Sequence, residues 1–116
     1  MKIQHIPKTF ELARILWNTK EIHKAYDNKG MGYSLAFCSN TTNTIELAKY
    51  VDDINYDKSG NEFITDILVP PNRKNKVFYH ELVHAILFTM EHDLNNDESF
   101  VQCFGNLLYE YMETRK

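Results

Sequence analysis

Pro70-Pro71-Asn72-Arg73-Lys74-Asn75-Lys76-Val77-Phe78-Tyr79-His80-Glu81-Leu82-Val83-His84-Ala85-Ile86-Leu87-Phe88-Thr89-Met90 separates two halves of the chain that differ in periodicity. Beyond Pro71 the apolar residues Phe78, Tyr79, Leu82, Val83, Ala85, Ile86, Leu87, Phe88 and Met90 predict a helix to about Met90, with Asn72 or Asn75 as its N-cap. It is apolar almost all round, so it belongs in the middle of the domain. Asp93-Leu94-Asn95-Asn96 breaks it. A second helix is expected from about Asp97 to Met112, with Phe100, Val101, Phe104, Leu107, Leu108 and Tyr111 as its core stripe.

Upstream of Pro70 the pattern is that of strands. Met31 to Phe37 alternates, with Tyr33, Leu35 and Phe37 on one face. Asn43 to Leu47 brings Ile45 and Leu47 together after the polar turn Ser39-Asn40-Thr41-Thr42, and the two segments read as a β-hairpin. Asp57-Lys58-Ser59-Gly60-Asn61 signals another turn, and Phe63 to Val69 a further strand ending at the prolines. Residues 9 to 24 fit a helix through Phe10, Ala13, Leu16 and Trp17, or a strand through Ile15, Trp17 and Thr19, and strand is the preferred reading. Strands first and helices last give an α+β architecture, a small antiparallel or mixed sheet followed by two helices, in one domain over residues 1–116.

Composition narrows the function. Thirteen Lys and Arg against sixteen Asp and Glu, a net charge of -3, offer a polyanion such as nucleic acid no long-range attraction. Cys38 and Cys103 form no metal-spaced pair and no disulfide framework, which suggests a reducing, cytoplasmic setting. The amino terminus carries no apolar run of signal-peptide type, and no stretch nears the ~18 apolar residues of a membrane span.

Inside the first helix, His80-Glu81-Leu82-Val83-His84 is an HExxH motif. Residues four apart share a helix face, so both imidazoles can address one ion, while Glu81 sits about 100° round, beside that ion. Neutral imidazoles suit Zn²⁺, and an adjacent carboxylate can take a proton from water that the ion has acidified. The bland alternative makes His80 and His84 satisfied polar residues on a core helix, with Glu81 paired to a Lys. Two His and a Glu are costly on so apolar a helix unless something binds them.

A catalytic zinc needs a third protein ligand. The extended pattern with a third His six residues on is absent, since that position is Met90. Glu91, His92, Asp93, Asp97, Glu98, Glu110 and Glu113 are the downstream donors. Glu98 is favoured because an antiparallel return after the Asp93 to Asn96 turn brings the first turn of the second helix back towards the His pair. Asp97 and His92 are the fallbacks. Taken alone, Glu98 reads as a first-turn acid complementing the helix dipole, boxed with Asn95. The motif resembles that of the zinc peptidases, which place a Tyr, His or Arg to stabilise an oxyanion and add an extended substrate to an edge strand; that resemblance makes Tyr109, Tyr79 and His92 candidates for the first role and Asn43 to Ala48 for the second.

The stretch His80 to Leu87, followed by Leu94-Asn95-Asn96-Asp97-Glu98-Ser99-Phe100-Val101 and Phe104 to Leu108, resembles the short zincin metallopeptidases of the gluzincin type. It is especially similar to those encoded by bacteriophages and bacterial mobile elements. More distantly it resembles the ImmA/IrrE-like metallopeptidases, from which it departs at Val83, where their motif carries Gly, and at Ser99-Phe100, where theirs carries Ala-Asn. The resemblance covers roughly residues 77 to 112. It implies a zincin-like fold, Zn²⁺ held by His80, His84 and Glu98, Glu81 as the catalytic acid/base, and a peptide or protein substrate. The competing expectations are a latent zincin scaffold serving as a protein-binding or regulatory module, and a structural zinc site. The last has no use for Glu81.

Overall fold

The computed structural model describes residues 6–26 and 33–115. The stretch 9–24 is extended, as two strands instead of one. β1 (Thr9–Leu12) and β2 (Ile15–Ile22) pair antiparallel, with Leu12 opposite Ile15. Ala13 and Arg14 make the reversal at φ 51° and 68°, the left-handed pair that matches the twist of a two-residue hairpin.

The segment expected as one strand over 31–37 is divided, and its first residues, Met31 and Gly32, lie outside the described ones. β4 (Tyr33–Ser34) pairs with β3 (Ala25–Tyr26), and the chain then changes partner at Leu35, whose carbonyl accepts from Ala48 N at 2.9 Å. β5 (Ala36–Ser39) and β6 (Thr44–Ala48) form the expected hairpin, with Ala36 opposite Leu47 and Cys38 opposite Ile45. β6 also runs parallel to β2, giving a mixed sheet in the order β1-β2-β6-β5.

That order corrects the expected edge. Asn43 to Ala48 contributes a central strand, buried at Thr44, Ile45, Leu47 and Ala48 because both flanks are paired. The edge is β5.

β7 (Tyr50–Tyr56) and β8 (Glu62–Leu68) make a separate two-stranded ribbon. Asp57 Oδ1 closes its turn by accepting from Ser59 N and Asn61 N, and Gly60 supplies a φ of 82°. β8 is exposed along its whole length. A lone two-stranded ribbon is marginal in water, and this one is fastened at its base. Lys24 Nζ reaches Asp52 at 2.5 Å and Asp66 at 2.6 Å, and His23 Nε2 reaches Asp66 at 2.7 Å.

The first helix, α1 (Pro71–Thr89), begins earlier than a side-chain cap predicts. Neither Asn72 nor Asn75 caps it. Pro71 occupies the first helical position, where its missing N–H costs nothing and its fixed φ is already helical. The other end is a Schellman turn, with His92 N donating to Leu87 O and Glu91 N to Phe88 O, each at 2.9 Å. Glu91 takes the left-handed position, at φ 54°. A 3-10 turn (Asp93–Asn96) leads into α2 (Glu98–Thr114), capped by Asp97, whose carboxylate accepts from Phe100 N at 3.0 Å.

α1 packs between the β5–β6 side of the sheet and α2. Trp17, Ile45, Leu47, Phe78, Tyr79 and Ala85 form the main core, and Val83, Leu87 and Val101 the smaller cluster between the helices. The buried side of α2 differs from the stripe expected. Val101 and Gly105 are buried and Leu108, Tyr109 and Met112 half-buried, whereas Phe104, Leu107 and Tyr111 face outward. Gly105 rotates the helix: lacking a side chain, it lets the backbone of α2 approach α1 closely, and a pattern of apolar residues does not register it. No helix among the described residues is long and apolar enough to cross a membrane.

Candidate metal centre

The helical spacing places His80 and His84 on one face of α1, with ring centroids 5.1 Å apart. Glu81 is next to them and buried, and the donor atoms of the three lie within 4.8 Å of one another, a cluster capable of coordinating a metal ion. Burial pushes the Glu81 carboxyl up to about 7, with the Glu98 carboxylate adding to the rise and His84 opposing it.

The Schellman turn and the 3-10 turn fold α2 back along α1. Glu98, in the first turn of α2, stands with Oε2 3.2 Å from His80 Nε2 and Oε1 2.9 Å from His84 Nε2. Its side chain is 70% exposed, against 21% and 16% for the two His, so one carboxylate reaches in from the solvent side. Asp97 and His92 are otherwise engaged. Asp97 caps α2, and His92 Nδ1 accepts from Leu94 N at 3.1 Å.

Asn95 is a participant the sequence suggested only as a partner of Glu98. Its Oδ1 lies 2.8 Å from His84 Nδ1. With that oxygen accepting, Nδ1 carries the proton and Nε2 points its lone pair at a carboxylate oxygen. Two facing lone pairs repel unless a proton or a metal cation lies between them. Donors about 2.0–2.1 Å from a tetrahedral Zn²⁺ stand about 3.3 Å apart, close to the separations of 2.9 and 3.2 Å. Two imidazoles and one carboxylate are also a donor set zinc accepts, so the residues present fit the ion.

Two cavities meet at Glu81. The larger, about 780 Å³, is lined by Ala36, Arg73, Lys76, His80, Gln102 and Tyr109 among others. The smaller, about 160 Å³, is bounded by Phe37, Cys38, Asn40, His84 and Asn95. The edge strand β5 runs from one to the other. Burial, assisted by the Glu81 carboxylate, pushes the Cys38 thiol up to about 12. Nothing in the sequence marked Cys38 as a neighbour of the site.

Of the three oxyanion candidates, Tyr109 alone lines the large cavity. Tyr79 is in the core, its ring 5.4 Å from that of Phe78, and burial raises its hydroxyl. His92 belongs to the turn.

The structure is therefore a small α+β domain with a His80-Glu81-x-x-His84 motif consistent with a zincin-like metal-binding site. Comparison with models of protein families, with curated proteins and with solved structures finds no match.

Proposed function

We propose that the chain is a zinc metallopeptidase of the zincin type. The observation that supports this best is the approach of the Glu98 carboxylate to both Nε2 atoms beside the buried Glu81. His80, His84 and Glu98 would hold the ion. Zn²⁺ bound there supplies a Lewis acid, which acidifies water and polarises a peptide carbonyl.

Glu81 accepts the proton of the attacking water and returns it to the departing amine. A carboxyl group raised towards neutrality suits both halves of that transfer. The substrate adds as a strand along β5, which ends the strand order β1-β2-β6-β5 among the described residues. It then crosses Glu81 between the two cavities. Tyr109, on the wall of the larger one, is the group we assign as donor to the carbonyl oxygen, because it lines that cavity.

Metal content and hydrolysis of a quenched-fluorescent peptide library test the reading together. About one zinc per chain is expected in the wild type and in Glu81→Gln, with hydrolysis only in the wild type. Glu98→Ala is expected to lose both. A zinc-loaded wild type that cleaves no peptide returns the protein to the alternative, a zincin scaffold used for binding.

A further inference from the structure

The larger cavity carries positive charge that the metal centre does not require. Arg73 and Lys76 line it, three residues apart and on the same face of α1 as His80. Among the described residues neither forms an ion pair, whereas Lys74, between them in sequence, is paired with Glu21 on the sheet side. The Lys76 ammonium stands 6.0 Å over the Tyr109 ring, which steadies it on the wall without neutralising it. Among the described residues, Glu81 is the only acidic one lining the cavity. A chain of net charge -3 thus presents two uncompensated cations to one wall of the cleft.

We propose that this wall selects a carboxylate on the substrate, two to three residues from the bond that is cut. The distance follows from two repeats. Lys76 and Arg73 precede His80 by four and seven residues, or about 6 and 10 Å along the helix, and an extended peptide covers about 3.3 Å per residue. Ala36, which lines the same cavity, is the end of β5 nearest these cations, so a strand laid on β5 passes them after leaving Glu81. The chemistry is a carboxylate with an apolar stem beside Val77 and Tyr109. A Glu or Asp side chain supplies it, and so does a free C-terminus at the same distance. This selection rests on the peptidase reading for the bond cut but not for the binding.

The test compares matched peptides carrying Glu, Gln or Lys at each of the three positions on either side of the cleaved bond. A further pair ends at that distance in a carboxylate or an amide. Hydrolysis is measured with the zinc-loaded wild type, and binding by fluorescence anisotropy with zinc-loaded Glu81→Gln. About a tenfold preference for the Glu peptide is expected, falling to under twofold in 1 M salt. The double variant Arg73→Glu, Lys76→Glu is expected to reverse it in favour of Lys. The amide pair tells a C-terminus from a side chain. Equal hydrolysis of Glu and Gln peptides overturns the selection and leaves the peptidase reading intact. Tighter binding of the Glu peptide by a chain that cuts nothing sustains the selection and overturns the peptidase reading.

Discussion

Gly105 of α2 lies against the backbone of His80 in α1, so near that a Cβ on Gly105 would stand 3.1 Å from the His80 Cα. The contact is backbone, which yields little. Gly105→Ala gains about 1 kcal/mol of helix propensity but forces the helices apart, at about 1–3 kcal/mol for overpacking. The expected outcome in urea denaturation is a small net loss of stability, larger in Gly105→Val. Because the same spacing sets the distance from Glu98 to both His, metal affinity should fall in the same order. Unchanged affinity in Gly105→Val would show that the crossing does not set the ligand geometry.

Asn95 should act on the ion through His84. Asn95→Leu removes the acceptor at Nδ1 and frees the imidazole to change tautomer, with an expected loss of about 10–100-fold in zinc affinity by chelator competition. Asn95→Asp, which keeps an acceptor, should restore most of it. The ¹⁵N shifts of His84 report the tautomer directly.

The two thiols should react very differently. Cys103 is exposed, while Cys38 is half-buried and its thiol is pushed up to about 12. Iodoacetamide at pH 8 is expected to label one site per folded chain, at Cys103, with Cys38 labelled only after denaturation. Rapid native labelling of Cys38 would contradict the closed packing around Glu81.

The fastening of the ribbon gives a pH signature. Lys24 holds the Asp66 carboxyl below its ordinary 3.8, and His23 adds to this. The stabilisation is therefore present above about pH 4 and is lost as the pH falls through the lower folded value. Asp52, followed by Asp66, raises the Lys24 amine above its ordinary 10.5, so its share is lost only in strong alkali. Amide shifts of β7 and β8 are expected to move together below pH 4. In Lys24→Met the acid movement should begin at higher pH.

Much of the site was legible in the sequence because helical spacing is strict. The i, i+4 relation brought His80 and His84 together, and the short break before Asp97 made the return of Glu98 a geometric expectation. The same chain hid what depends on backbone approach or long-range pairing. The Ala13-Arg14 turn lacks the Gly or Asn that marks such reversals. Gly105 turned the buried face of α2 away from its apolar stripe. The parallel pairing of β6 with β2 made a central strand of Asn43 to Ala48 and left β5 as the edge, which no alternation within either segment reveals.

Glu91 is a local compromise with a simple test. It ends α1 in a left-handed conformation that costs an L-residue about 1–2 kcal/mol. Glu91→Gly relieves this at the expense of a more flexible unfolded chain. A net gain of about 0.5–1 kcal/mol is expected in thermal and urea unfolding.

The Schellman turn joining α1 to α2 also bears on the order in which the molecule assembles. His80, His84 and Glu98 fall within one helical hairpin, so their meeting needs only short loop closure, which is fast. The edge strand and the cleft wait on the β2–β6 pairing of distant segments, which is slow. The proposed ligand cluster and the cleft are thus expected to form at different times and, in mild denaturant, to be lost in the reverse order. On the proposed peptidase reading, a bound ion would then outlast turnover: its retention would report on the helical hairpin, and peptide binding on the sheet.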